Sequence, residues 1–583
     1  TSVGYASLLD NTTGASNTAV GMDALSNNTT ASNNTAVGYQ AGYANTTGSN
    51  VTAVGRWALK ANTTGNDNTA VGLNALLSNT TGGSNIAVGQ QALQANTTAS
   101  SNTAVGYQSL YTNTTGTRLV AVGQAALYAN TTGNYSVAVG QAALTNNTTG
   151  SNVAIGDSVM VGNTTGSRNV AIGTFDGSTL PALYANTTGA NNIAIGTGAL
   201  KSNTTASQNV AVGHQSLYVN TTGAYNVAIG GSALATSATG NYQTAVGYGA
   251  LTNSNYTTNV YAWNTAVGFN AGAANTTGKV TAFGGNALLS NTTGINNTAV
   301  GGATDAAGAS LENNTTGGHN TALGHVSLRN NTTASFNSAV GYAALAQNTT
   351  GANNSAFGYQ ALISNTTAAS NTAVGQAALY AVTTGNNNTS IGALAGDQIT
   401  SGHENVCVGF DTNPSAADGF NQIVLGESVS GNANSSLCFG AGATDSAIAF
   451  GATSITAPSD QRYKEEIADA TAGLSFIKDL RPVTFKWKKE KDVPSDHPAY
   501  VEGSDTRVMN DYTNHGFIAQ EVKTAIDNHS DIKDGFDMWS EQGSGGRQRL
   551  GPSSLIPILV KAIQELSAKN DALEARITAL EGA

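Results

Sequence analysis

The sequence predicts a mainly β protein: an elongated solenoid of short stacked coils, then a small α+β region ending in a coiled-coil helix. Three observations carry that prediction. A glycine returns every 17 residues, at Gly4, Gly21, Gly38, Gly55, Gly72, Gly89, Gly106, Gly123 and Gly140. Charge is scarce, 10% of residues, and unevenly placed: of 57 Asp, Glu, Lys and Arg residues only 20 lie in the first 450 positions. Finally, the last 25 residues carry an apolar seam at alternating steps of four and three.

The repeat defines the first element. With slips of one residue and a few insertions it runs on through Gly213, Gly301, Gly341 and Gly409 to Gly426, then shortens at Gly440 and Gly451. The unit approximates N-T-A-V-G-x-x-A-L-x-x-N-T-T-G-x-N. Each copy has two small apolar patches, such as Ala70 with Val71 and Ala75 with Leu76, which one copy cannot bury and a stack can. A disordered linker has no reason to hold these pairs in phase. Asn and Gly are expected to supply left-handed corners, and only Pro181 and Pro414 interrupt the first 450 residues. About 26 coils at roughly 4.8 Å each give a rod on the order of 120 Å long. A short helical turn over Ala-Leu is the competing reading of half of each unit. Asn-Thr-Thr matches the glycosylation acceptor pattern, but sequons this regular read as turn residues forming ladders. The units resemble the β-roll repeats in the heads of trimeric bacterial adhesins in motif, though not in length.

Composition excludes several functions. A net charge of −11 and a repeat region without clustered Lys and Arg argue against a nucleic-acid partner. Cys407 and Cys438 are the only cysteines, so neither a disulfide framework nor a metal-ligand spacing is present; no metal and no cofactor is expected. No apolar run approaches the ~18–20 residues that cross a bilayer, so no membrane insertion is expected. The repeat is in phase from Thr1, and an N-terminal attachment region is expected outside this sequence.

The domain organisation expected is a shaft over 1–451, a linker over 452–458, a second domain over 459–550 and a closing helix over 551–583. Ser459-Asp460-Gln461-Arg462-Tyr463-Lys464 opens the charge-rich tail. Leu480-Arg481-Pro482-Val483 leads into Phe485-Lys486-Trp487-Lys488, which alternates as a strand does. His515-Gly516-Phe517-Ile518-Ala519-Gln520-Glu521-Val522 reads as a strand running into a helix. Leu559, Ile563, Leu566, Asn570, Leu573, Ile577 and Leu580 form the heptad seam. Ile alternating with Leu leans toward two strands, and a single core Asn sets register and strand number.

These four ordered motifs resemble the endosialidase-type intramolecular chaperone family, the self-cleaving C-terminal domain of phage tail spikes, tail fibres and neck appendages. The resemblance implies a homotrimer: three chains set in register so that a β-rich fibre can fold, followed by release at the serine. It implies a Ser459–Lys464 dyad, single-turnover serine peptidase chemistry on its own chain, and a cut between Pro458 and Ser459. Ser459 attacks the preceding carbonyl, and a desolvated, neutral Lys464 takes its proton. Lysine in water is protonated at neutral pH, so the dyad needs burial gained on trimer assembly. Asp460 and His515 are supporting candidates, with packing the favoured role for His515. Taken alone, Ser459 and Lys464 also fit a helix N-cap and a solvent-facing lysine.

The function expected is therefore a structural and receptor-binding tail fibre of a bacteriophage, placed in the virion tail on its extracellular side. Its partners would be its own copies, a host surface glycan or protein receptor, and other tail proteins through the outlying N-terminal region. Insertions at Thr174–Leu180, Asn253–Trp263 and Ala303–Leu311 break the period, and loops leaving a rigid scaffold tend to carry binding residues. Tyr256, Tyr261 and Trp263, with Arg56 and Trp57, are the candidate receptor contacts, offering ring faces to a sugar; aromatics that merely cover the solenoid are the plain alternative. A polysaccharide-cleaving tailspike is the second function, with Asp157 and Asp176 one coil apart and Glu404, Asp411, Asp418 and Glu427 near the rod's end as its sparse carboxylates. A bacterial surface adhesin or injection-system fibre is the third.

Overall fold

The computed structural model describes every residue except 257–260, 304–307, 443, 453–460, 462–463, 496, 498, 534–535, 543–546 and 583. The chain divides into two compact units, Thr1–Pro458 and Ser459–Ala583.

The first unit is a β-solenoid built on one 27-stranded sheet. Each coil contributes one short strand, such as Thr69–Val71. That strand pairs in parallel with Thr52–Val54 below and Ile86–Val88 above, Ala on Ala and Val on Val. Pairing stays parallel up to Ser436–Ala441, and only the last strand, Ser446–Ala449, turns back antiparallel. The longer coils do not disturb the ladder: Val170–Ile172 pairs in register with Ile193–Ile195, and Thr298 with Thr321; in the first of these coils the extra residues 174–180 leave as a loop.

One coil shows why the sequence folds this way. Ala70, Ala75 and Leu76 are wholly buried, while Thr69 and Val71 face outward. Gly72 has φ +137°, and a Cβ there would lie 2.6 Å from the Gly89 carbonyl oxygen of the next coil. That close approach is the reason for a glycine every 17 residues.

The remaining corners meet the sequence expectation only in part, since asparagines such as Asn33, Asn50 and Asn74 are left-handed but other residue types are too. The inner asparagines Asn62, Asn68 and Asn79 are absent from the left-handed corners, which fall instead at Asn74 (φ 61°), Leu76 (φ 49°) and Ser84 (φ 56°). A left-handed L-residue costs about 1–2 kcal/mol, and full burial of Leu returns about 1.5–3 kcal/mol. Burial therefore outweighs the strain at Leu76, whose N–H also donates to Ala92 O at 3.0 Å. The same left-handed leucine rules out the alternative of a helical turn over Ala-Leu, because a right-handed helix needs negative φ.

The asparagines of Asn-Thr-Thr line the interior as a ladder. Asn62 Nδ2 donates to Asn45 Oδ1 at 2.8 Å and to Gly65 O at 3.0 Å, while Asn79 Nδ2 donates to Asn62 Oδ1 at 2.8 Å. Asn68, before the strand, is also buried, and its Nδ2 donates to Gly82 O at 2.7 Å. Most buried amides of this kind are satisfied by the stack; Asn220 Oδ1 and Asn365 Oδ1 are left without a partner, where Ser237 and Val382 replace the next asparagine. The buried amides are also out of reach of a glycosylating enzyme in the folded coil.

The second unit is a small α+β body. Helix Leu474–Asp479 precedes strand Val483–Phe485, which pairs antiparallel with Asn514–Gly516; helix Ala519–Asp527 follows directly. A hairpin, Trp539–Gln542 with Arg547–Leu550, leads to the closing helix Leu555–Glu581. The core is Ala472, Phe476, Val522, Ala525, Ile526, Met538, Leu555 and Ile558. Phe485 ends its strand, and Trp487 lies beyond it, so the strand expected to run to Lys488 is shorter than its alternation suggests. Between the two paired strands, Glu490 N–H donates to Thr506 O and Val508 N–H to Lys488 O. This polar arm is held by ion pairs from Lys489 and Lys491 to Asp505.

Candidate functional site

The motifs read from the tail converge on one small framework. The L-R-P-V and H-G-F-I-A-Q-E-V segments face each other across the strand pair, with Thr484 opposite His515. Arg481 closes on Glu521 through both its Nε, at 3.0 Å, and its Nη2. The hydrogen bond and charge of Arg481 lower the Glu521 carboxyl below the usual carboxylate range. Glu565 of the closing helix accepts from Leu474 N–H at 3.0 Å, tying the start of helix Leu474–Asp479 to the closing helix.

Of the self-cleavage residues, Pro458, Ser459 and Asp460 lie outside the described residues. Lys464 is exposed, and its N–H donates to Gln461 O at 3.1 Å. His515 is exposed too, and no hydrogen bond joins it to Lys464. Within one chain, Lys464 therefore lacks the burial that general-base chemistry requires of a lysine.

The closing helix has two faces. Leu555, Ile558 and Ala562 are buried. Leu559, Ile563, Leu566, Leu573, Ile577 and Leu580 are exposed in the single chain, as is Asn570. Ile556 and Val560 are exposed beside them, extending the apolar face about one turn earlier than the heptad spacing indicates. Asn570 Nδ2 donates to Glu574 Oε1 at 3.0 Å, so its amide is occupied within its own helix.

On the rod, the candidate receptor aromatics behave differently from expectation. Tyr256 is not a surface residue: it is buried, and its hydroxyl donates to Gly278 O and accepts from Asn264 Nδ2, both at 3.0 Å. It belongs to an interior repair. Here Ser237 and Gln243 occupy the slots that asparagines fill elsewhere, with Gln243 Nε2 donating to Ser237 Oγ at 2.7 Å and Ser254 Oγ to Gln243 Oε1 at 2.6 Å. Burial pushes the Tyr256 phenol up.

Tyr261 and Trp263 are exposed, but their rings stack on each other at 5.6 Å; Tyr261 packs on Tyr242, Tyr242 stacks on Tyr225, and Lys279 sits 5.1 Å over Trp263. Their faces are thus taken up by this ladder, and edges meet solvent. Trp57 likewise carries the Arg56 guanidinium 3.9 Å from its ring centre.

Among the acids, Asp176 accepts from Ser178 N–H at 2.9 Å and Thr179 N–H at 2.6 Å within its own loop, which lowers its carboxyl. Ser158 Oγ donates to Asp157. A glycosidase acid needs the opposite shift, so Asp176 does not suit that role. Among the described residues no cluster of three or more His, Cys, Asp or Glu could hold a metal, and no helix is long and apolar enough to cross a membrane.

The family model described as the chaperone of endosialidase matches residues 459–531. The match opens on Ser459 and takes in three of the four motifs; the hairpin and closing helix fall beyond it. No curated protein and no solved structure matches the chain. The chain thus combines a β-solenoid rod with a C-terminal segment of chaperone-of-endosialidase type, a combination consistent with a tail fibre or spike.

Proposed function

We propose that the protein is a homotrimeric tail fibre of a bacteriophage, displayed on the virion tail, whose last 125 residues or so set three rods in register and are then cut free at Ser459. The observation that carries this reading is the chaperone-of-endosialidase match beginning at Ser459, the first residue after the rod unit. Two exposed apolar surfaces support self-association. One is the seam of the closing helix. The other runs along the rod: the outward strand residue just before each periodic glycine is Val, Ile, Leu or Phe, from Val3 and Val20 through Ile195 and Phe283 to Phe439. A continuous apolar stripe of that length is an interaction surface rather than a solvent face. Near-identical coils can pair in shifted registers, and three copies multiply the errors; a trimeric clasp fixes the starting phase.

Cleavage follows from the same assembly. Ser459 Oγ adds to the Pro458 carbonyl carbon, its proton passing to neutral Lys464. The C–N bond breaks as the C–O ester forms, and the proton returns to the freed Ser459 amine. Water then hydrolyses the ester, leaving the Pro458 carboxylate and the Ser459 hydroxyl. Lys464, exposed in one chain, would gain its cover from neighbouring chains, so the cut reports completed assembly. On a denaturing gel the wild-type chain should run as two bands and Ser459→Ala as one. A single full-length band for both would remove self-processing from the account.

A further inference from the structure

Five of the seven Lys and Arg residues of the rod rest on aromatic rings. At one place two of them share a ring: Arg56 lies 3.9 Å and Lys60 5.4 Å from the Trp57 ring centre, with Tyr39 6.0 Å from the same guanidinium. Neither cation forms an ion pair among the described residues. The indole beneath them is fixed. Trp57 Nε1 donates to Gln40 Oε1 at 3.2 Å, and Gln40 Nε2 donates to Asp23 Oδ2 at 3.3 Å, a relay across three coils. Trp57 also sits at φ 64°, a left-handed slot that neighbouring coils fill with Gln40, Asn74 and Gln91. Beside Lys60 an open groove of about 470 Å³ is lined by Tyr43, Ala44, Lys60, Ala61, Leu77 and Ser78.

We propose that Arg56 and Lys60, positioned by Trp57, bind the anionic group of a surface saccharide polymer, a carboxylate or a phosphodiester, whose sugar lies in the groove against Tyr43. Two cations without a carboxylate partner among the described residues, on a rod that is otherwise acidic, are open to an anionic ligand. Arg56 occupies the indole, so recognition is by charge and donor geometry, with the sugar on the tyrosine and alanine floor. Trp57 is a positioning residue here. This site deepens the receptor-binding part of the proposed function and rests on it.

The test is retention of the intact full-length protein on immobilised polygalacturonate, a glycerol-phosphate polymer and neutral dextran, at low and high salt. Wild type should be held by at least one of the two anionic polymers, less at high salt, and not by dextran; which of the two wins identifies the anion. Arg56→Gln with Lys60→Gln should weaken retention at least tenfold, and Trp57→Leu should weaken it with both charges kept. Arg118→Gln, another exposed cation over a ring, should behave as wild type, and thermal melts should confirm that each rod is folded. Undiminished retention by the double variant overturns this site while leaving a receptor-binding rod intact. Failure of wild type on both charged polymers overturns the ligand class.

Discussion

Removing one rung of the buried asparagine ladder should open the rod locally and measurably. In Asn62→Ala, Asn45 Oδ1, Gly65 O and one donor position of Asn79 each lose their partner. A buried polar group stripped of its partner costs about 1–3 kcal/mol, so three together cost on the order of 3 kcal/mol even if water relieves part of the loss. Because each coil touches only its neighbours, the loss should stay near the mutation. Three kcal/mol is roughly a hundredfold in an opening equilibrium. Hydrogen exchange read by mass spectrometry should therefore speed up roughly a hundredfold across coils 45–80, with the coils around Asn331 and Asn348 unchanged. Thr64→Ala, on the exposed second threonine of the same motif, should move exchange little. Acceleration under tenfold, or acceleration spread evenly along the rod, would refute both the ladder energetics and the nearest-neighbour picture.

Other outcomes follow from single groups. Burial pushes the Cys407 thiol up to about 12, so a thiol reagent at pH 8 should leave it unmodified in the folded rod and label it fully in denaturant. Asp505, beside Lys489 and Lys491, is lowered to about 2; its contribution is present above its unfolded value near 4 and is lost as pH falls through about 2. Pepsin should therefore spare the 486–513 arm at pH 4 and nick it at pH 2, whereas equal cutting at both would show the ion pairs to be idle. Leu566→Lys with Leu573→Lys places charges on the closing-helix seam and should abolish self-association in sedimentation without unfolding the domain core, which contains neither residue.

The repeat was legible because its cause is steric and periodic: at Gly72 and its equivalents a Cβ would run into the next coil's carbonyl. The apolar pairs were legible for the same reason. The left-handed leucines were not, because propensity assigns such corners to Asn and Gly, and only the finished stack shows that burying Leu76 outweighs its strain. Tyr256 misled for a related reason. An aromatic in an insertion reads as a loop residue, yet the shorter Ser237 and longer Gln243 of the preceding coil leave an interior polar network that its hydroxyl completes. Tyr261 and Trp263 are exposed rings and Trp57 a half-buried one, but contacts such as Tyr242 on Tyr261 and Gln40 on Trp57 depend on the register of neighbouring coils, which spacing alone does not convey. In the tail, the strand-to-helix passage at His515–Val522 and the closing helix were both plain from periodicity. The Arg481–Glu521 pair, which joins two motifs 40 residues apart, had no local signal.

The central claim is that the carboxyl-terminal segment brings three chains into register. Sedimentation equilibrium of the full-length chain, beside a chain ending at Pro458 and never joined to the segment, tests it directly. A trimer is expected for the first and monomers or irregular aggregates for the second. A monomeric full-length chain, or equal assembly of the shortened one, would contradict it.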